Sequence, residues 1–445
     1  MSFPRYPAYK DTGLEWLPAI PTSWEIRRLK QFCTVFPSNV DKKSIEGEMP
    51  VKLCNYTDVY YNESICAEME FMNATASEEQ ATKFTLRSGD VLITKDSEAA
   101  DDIAIAAYVP KTLPGVVCGY HLSMIRPRSG ANGAYVKRIF DCTYTKSLFA
   151  VRANGLTRVG LSQYAVDNVE LPLPPIHEQE AIATFLDHET AKIDALIAEQ
   201  HRLIELLQEK RQAVISHAVT KGLNPDAPMK DSRVEWLGEV PEHWQVLRGS
   251  HVGSIFGSEQ ISEEKVSQQG DIPFIKVSTL SENGFECLEP VWFVDRADIR
   301  AGRGRNGFLA FPKRGAAIFG NKVNIIETES LIDPNLMGWL ISDNGDPAFY
   351  AYTLKSRKLE EIADVSTVPQ INTKHIAQEF WPCPPLDEQL EIGTFLYGQE
   401  AVFDSLADET SSSMALLQER RSALVSAAVT GQIDVRGLVP EADAA

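Results

Sequence analysis

The chain has no long apolar run. None of its segments approaches the ~20 consecutive apolar residues that a membrane-crossing helix needs. Its opening, MSFPRYPAYKDTG, lacks the apolar core of a signal peptide. These two absences point to a cytoplasmic protein with no membrane partner. Cysteine is sparse as well. Cys33, Cys54, Cys66, Cys118, Cys142, Cys287 and Cys383 are scattered, odd in number and without a Cys-x-x-Cys pair. Neither a disulfide framework nor a structural zinc or other metal site is expected, and the thiols read as small buried hydrophobes.

Catalytic signatures are missing too. There is no His-Glu-x-x-His, no Gly-x-Ser-x-Gly, no Asn/Asp-Pro-Pro-aromatic motif of amino methyltransferases and no nuclease carboxylate cluster. Residues 302–307, GRGRNG, have dinucleotide-loop spacing. However, FLAFP follows with Pro312, so no helix opens there, and the segment reads as a mobile basic loop carrying Arg303 and Arg305. Residues 315–322, GAAIFGNK, resemble a phosphate loop but place Asn321 where lysine is required and Val323 where Ser or Thr is required. His177 and His188 lie on a polar helix start and read as solvated. The chain does not read as an enzyme.

Positive charge is in short supply. The formal net charge is −19, which alone argues against nucleic acid. The distribution qualifies this. Residues 1–170 carry 19 Lys+Arg against 20 Asp+Glu, whereas residues 381–445 carry 3 against 11. The first half can present a basic face, but the whole chain is a poor DNA binder unless a basic partner assists.

What is present is a duplication. Pro174–Thr220 and Pro384–Thr430 align at a constant offset of 210 without a gap, with 22 of 47 positions identical. Two copies half a chain apart indicate a duplicated large unit, not a solenoid. A second frame repeats at offset 220: Glu15, Trp16, Leu17, Pro21 and Trp24 match Glu235, Trp236, Leu237, Pro241 and Trp244. It reads as an irregular lead-in whose paired indoles pack into a core, followed by a strand.

Between the frames lie two inserts of little mutual identity. Turn signals such as residues 88–90 (SGD) and 132–133 (NG) separate short apolar runs at 50–53, 90–94, 103–109 and 122–126. Strands are expected there and at 272–277, 316–319 and 323–327, with helices over 134–149 and from 335 to 342. Residues 86–95 weakly resemble 311–322. The expected class is α+β, with two mixed, mostly β globular domains and two long helices between and after them. The boundaries read 1–173, 174–222, 223–383, 384–430 and a tail at 431–445.

The long repeat has helical periodicity. Steps of four and three connect Ile182, Leu186, Ile193, Leu196, Leu203, Leu207 and Val214 in the first copy. In the second they connect Ile392, Leu396, Phe403, Leu406, Leu417 and Leu424. This reads as a coiled-coil seam with polar interruptions. The preceding prolines 174–175 and 384–385 block extension backwards, and Glu178 and Glu388 sit in the first turn, where the helix dipole favours them. Two equal rods in one chain are expected to pair antiparallel, giving a pseudo-twofold arrangement.

The positive functional signal is basic and amide residues in Gly/Asn-rich loops. These are Lys95, Arg152, Asn154 and Arg158 in the first insert, and Arg303, Arg305, Asn321, Lys322, Arg357 and Lys358 in the second. Arg and Lys suit guanine and Asn suits adenine in the major groove.

The PP-I/L-x-E-Q…TFL…LLQE-K/R-R…A-V-T helix at 174–220 and 384–430, with the EWL-x₃-P-x₂-W lead-ins at 15–24 and 235–244, resembles the specificity subunits of type I restriction–modification systems. The resemblance spans essentially the whole chain. It implies two target recognition domains, each reading half of a bipartite site in double-stranded DNA, with the helices as spacer. It also implies two methyltransferase subunits carrying S-adenosylmethionine for adenine methylation. A restriction/translocase subunit using ATP and Mg would join them for DNA restriction in host defence against foreign DNA. No cofactor and no catalytic residue falls to this chain. The competing expectation is a coiled-coil interaction scaffold that binds no DNA.

Overall fold

The computed structural model describes residues 3–258, 261–282, 284–299, 303–364 and 368–438. The chain divides into two compact units, residues 1–200 with 411–445, and residues 201–410. Gly302 of the GRGRNG segment and the last residues of the tail lie outside the described set.

In the first unit the lead-in is a hairpin. Tyr9–Leu14 pairs antiparallel with Leu17–Pro21, and the Leu14–Leu17 pairing leaves Glu15 and Trp16 as a two-residue turn. Trp24 is fully buried but Trp16 is 61% exposed. The expectation that both indoles pack is therefore corrected, because a hairpin tip has no core behind it. The insert builds an antiparallel sheet in the order Cys33–Pro37, Leu122–Pro127, Val91–Thr94, Ala106–Tyr108. A second sheet places Met49–Cys54 between Val116–Cys118, parallel to it, and Met72–Ala76, antiparallel. Val91–Thr94 is buried on both faces, which is why it reads as an unbroken apolar run. Asp90 just before it is buried, and Arg126 binds both its oxygens at 2.7 Å, which satisfies a carboxylate that would otherwise be costly to bury.

The second unit has the same strand order from unlike residues: Gly253–Phe256, Leu336–Ile341, Phe308–Pro312, Asn324–Ile326. Its smaller sheet again has a central strand, Ile272–Ile275, with a parallel neighbour, Leu331–Ile332, and an antiparallel one, Phe293–Val294. Here Trp236 does pack. Its ring lies edge-on to Trp381, and its Nε1 donates to Glu379.

Three expected elements differ. The helix over 134–149 is two helices, Gly133–Asp141 and Thr143–Arg152, broken where Cys142 takes an extended ψ of 133°. The segment at 335–342 is the strand Leu336–Ile341. It is buried on both faces, so alternation vanishes and a short apolar run cannot be told from a helix. Residues 316–318 form a 3₁₀ turn, not a strand.

The repeated segments are helices Ile176–Lys221 and Leu386–Val429. Each unit contains half of each helix, and in both units the halves run antiparallel. In the first unit, Arg421 Nε donates to Asp194 at 2.8 Å. Near the other end of the pair, a Cβ on Gly431 would meet Trp24, the partner of Glu178. In the second unit, Arg211 binds Glu400 and Asp404, both at 2.7 Å, and Gly222 abuts Trp244 and Glu388. These are one contact made twice, since Arg211 and Arg421, like Asp194 and Asp404, are 210 residues apart.

The inward-facing positions correct three of the thirteen expected seam residues. Ile182, Leu186, Ile193, Leu207 and Val214 face inward, as do Ile392, Leu396, Phe403, Leu417 and Leu424. Leu196, Leu203 and Leu406 are exposed, and their places are taken by Ile197, Ile204 and Ala407. In the first helix Leu196–Ile197 and Leu203–Ile204 are adjacent apolar pairs, so periodicity alone cannot choose between them.

Candidate nucleic-acid interface

In the first unit the sheet strand Val91–Thr94 ends at Lys95, and the next two residues, Asp96–Ser97, pair antiparallel with Val159–Gly160. Asn154 and Gly160 exchange backbone hydrogen bonds of 3.1 and 2.9 Å, closing a small hairpin. Inside it the chain folds back so tightly that a Cβ on Gly155 would stand 1.8 Å from the Arg158 carbonyl oxygen, so only glycine fits. Leu156 is left wholly exposed at the tip.

Three of the four basic and amide residues expected in this insert meet here. Arg158 Nη2 lies 3.0 Å from Asp96 Oδ1. The other Asp96 oxygen is 2.9 Å from His121 Nδ1. Lys95 extends over the Tyr120 ring, 4.6 Å from its centroid, and donates to the Ser38 carbonyl oxygen. Burial lowers the Lys95 ammonium below the usual lysine value, and neighbouring Asp96 opposes the shift. Asn154 forms the hairpin base. Arg152 turns into a cleft with Trp16, Tyr144, Leu148 and Glu170. Its Nη1 is buried without a hydrogen-bond partner among the described residues.

The second unit repeats the backbone of this site. Ile371 N donates to the Lys313 carbonyl oxygen at 2.9 Å, as Leu161 N does to Lys95. Arg314 bridges Gln370 as Asp96 pairs with Gly160, and Asp364 bridges Gln370 as Asn154 bridges Gly160. Lys95 thus corresponds to Lys313, which lies within the segment 311–322 that weakly resembles 86–95. Burial, with Arg314 alongside, lowers the Lys313 ammonium as well. The six residues expected in this insert fall in two groups. Arg303 and Arg305 flank Gly304 on the approach to the strand Phe308–Pro312, with the Arg305 guanidinium 4.1 Å above the Phe256 ring. Asn321, Lys322, Arg357 and Lys358 gather at the end of helix Pro347–Arg357. There the Asn321 side chain donates to Lys355 O and accepts from Leu359 N. Lys322 reaches Leu280 O and Glu282. Arg357 binds Glu361 at 2.6 Å and Lys358 lies 3.9 Å from it.

Residue reading overlooked Asp96, Tyr120, His121, Lys313 and Arg314. The available signal was position: each lies within two residues of an end of an apolar strand of the central sheet. Among the described residues no cluster of three or more His, Cys, Asp or Glu is placed to hold a metal ion. Among them, too, no helix is long and apolar enough to cross a membrane.

A family model described as the type I restriction modification DNA specificity domain matches residues 21–206. The type I restriction enzyme MjaVIII specificity subunit of Methanocaldococcus jannaschii is 20% identical over 446 residues, covering 94% of this chain and 95% of the relative. A chain solved in a study of complex assembly and conformational transition of the type I R-M system has a TM-score of 0.73 at 17% identity. That match covers 92% of this chain and 98% of the solved one. The crystal structure of the HsdS subunit from Thermoanaerobacter tengcongensis gives 0.59 at 18% identity, with 95% and 100% covered. Over nearly its whole length the chain is similar to type I restriction enzyme specificity subunits, and residues 21–206 match their DNA specificity domain. DNA sequence recognition is the general role of such specificity subunits. The matched span of this one begins within the lead-in and ends in the first long helix. It therefore contains the whole first hairpin site and the Trp24–Glu178 contact beneath it.

Proposed function

We propose that this specificity subunit reads a bipartite, asymmetric site in double-stranded DNA, one half with each insert. It directs two methyltransferase subunits and a restriction subunit to that site. The observation that carries this reading is one backbone site built twice with unlike side chains. Asp96, Asn154 and Arg158 of the first unit correspond to Arg314, Asp364 and Val368 of the second. A carboxylate accepts from cytosine N4, a guanidinium donates to guanine O6 and N7, and an apolar group meets a thymine methyl. Exchanging these types at matched positions makes the two half-sites different.

The antiparallel helix halves fit a spacer role. They carry no reactive cluster, and their repeated faces offer two similar docking places. With a net charge of −19, the chain needs partners that bring basic surface to the phosphates. The subunit itself is non-catalytic. S-adenosylmethionine, ATP and Mg belong to the partner subunits, and the modified base is adenine, one on each strand.

Methylome sequencing of cells with and without the gene tests this. A split, asymmetric adenine motif with a fixed gap disappears on deletion if the reading holds. If every adenine motif survives, the reading is wrong and the scaffold alternative stands. Adding seven residues within 194–208 and the matching 404–418 should also change the gap between the halves, as dimer spacing sets half-site separation in other DNA readers.

A further inference from the structure

The duplication supplies an internal comparison at each position of the hairpin site. What repeats is backbone. The strand-end lysine, Lys95 or Lys313, accepts at its carbonyl from Leu161 or Ile371 in both units. What does not repeat is one ion pair. Arg158 lies against Asp96 in the first unit, whereas the matching positions in the second hold Val368 and Arg314, which cannot form it.

Four observations surround that pair. The Arg158 side chain is 53% exposed, so it faces solvent from a hairpin whose backbone is pinned by Gly155 and the Asn154–Gly160 bridge. Asp96 is only 21% exposed and is held on its second oxygen by His121 and through its backbone by Gly160. Arg158 Nη2 forms an ion pair with Asp96 Oδ1, a buried oxygen that accepts no hydrogen bond among the described residues, so the guanidinium N–H donors are not committed to it. Leu156, two residues earlier, projects fully exposed beside it. An exposed arginine is ordinarily a mobile cation. One held by charge beside a fixed carboxylate has lost part of that freedom and keeps its donors for a planar acceptor pair. In the major groove that pair is guanine O6 and N7.

We infer that Arg158 is a specificity-determining residue that reads a guanine in the half-site bound by the first unit, with Asp96 as its positioning residue. This rests on the DNA-reading function proposed above and narrows it to one base and one side chain. The matching position of the second unit holds Val368, whose side chain carries no hydrogen-bond donor, so this residue cannot read a guanine in the same way.

The test uses the complete subunit assembled with its methyltransferase partners, on duplexes carrying the motif found by methylome sequencing. Each guanine in turn is replaced by 7-deazaguanine, which lacks the N7 acceptor, or by adenine. Wild-type binding should weaken at one guanine of one half, by about 10- to 100-fold for the adenine change. Arg158→Gln should lose sensitivity at that guanine alone and keep the deazaguanine profile of the other half. Asp96→Asn should reduce sensitivity at the same guanine. A deazaguanine profile unchanged in Arg158→Gln, or a first half-site without guanine, overturns the inference while leaving bipartite recognition intact. If Arg158→Gln does not assemble, Asp96→Asn decides: retained sensitivity at every guanine overturns the assignment. Absence of any sequence-specific binding by the wild-type complex refutes instead the function on which it rests.

Discussion

The indole Nε1–H of Trp24 donates to the buried carboxylate of Glu178 at 2.9 Å. Tyr6 donates to the same oxygen at 2.9 Å, and Gln179 beside it bonds Asn132 N and the carbonyl oxygens of Gly130 and Pro174. Trp244 and Glu388 repeat the contact at 3.0 Å, and Gln389 repeats the amide bonds toward Asp346, Asn344 and Pro384. The two sequence repeats, with offsets of 220 and 210, are thus halves of one joint. The lead-in supplies the donor and the helix start supplies the acceptor. Glu178 lies in the first turn of its helix, as expected, and the indole contact adds a second role to the dipole one. The side chain is 2% exposed and exists to satisfy the indole, although its place in the first turn still favours a negative charge.

Removing the indole donor should therefore destabilise the first unit more than the second. Trp24→Phe leaves a carboxylate buried with fewer donors, at a cost of about 1.5–3 kcal/mol. Trp244→Phe should cost less through this bond, because the Glu388 side chain is 24% exposed and His243 also binds it. Two units need not unfold together, so hydrogen exchange resolved by segment is the suitable measurement. Equal loss of protection in both units would contradict the ranking.

The corrected seam makes a paired prediction. Ile197 packs against the first unit's core, whereas the neighbouring Leu196 is 51% exposed. Ile197→Ala should cost about 1–2 kcal/mol, below the full-burial range because the residue is only partly buried. Leu196→Ala should stay within about 0.5 kcal/mol. Chemical denaturation of the two variants in parallel separates them, and the reverse order would restore the seam expected from periodicity.

Glu63 gives the first unit an acid-sensitive contact. Burial raises its carboxyl pKa, but Lys137 at 2.6 Å, with Arg138 and Arg421, outweighs burial and holds it at about 2. A carboxylate with a depressed folded-state value contributes stability that is fully present above its ordinary value. That contribution is lost as pH falls toward the folded value. The difference in melting temperature between wild type and Glu63→Gln should thus be largest near neutral pH and shrink between about pH 4.5 and pH 2. A difference independent of pH would show that the carboxylate's charge is not what matters.

Legibility in the sequence followed the duplication. The long helices and the strands with clear turn signals, such as Met49–Cys54 and Leu122–Pro127, could be read directly, whereas the lead-ins were legible as a repeat but not as hairpins. Strands buried on both faces could not: the apolar run Leu336–Ile341 suits a helix as well as a strand, because it has no alternation to betray a sheet. The shared strand order of the inserts was invisible, because a β topology is fixed by long-range pairing and tolerates wholesale change of side chains. At the candidate interface, charge and loop composition found Arg158 and Lys95. They could not find Asp96, which acts as the mate of a residue 62 positions away, nor Lys313, whose equivalence to Lys95 is a matter of backbone bonds.

The central claim is that two unlike readers on one scaffold read the two unlike halves of a single DNA site. Residues 29–169 and 249–379 are bounded by matching strand pairs, Glu25–Arg28 with Glu170–Leu173 and Gln245–Arg248 with Phe380–Cys383. The most direct measurement replaces 29–169 by a second copy of 249–379, returns the chain to cells with its partner subunits, and sequences the methylome. The account predicts a symmetric motif in which the second unit's half-site appears twice, inverted, across the original gap. Retention of the original asymmetric motif would contradict it.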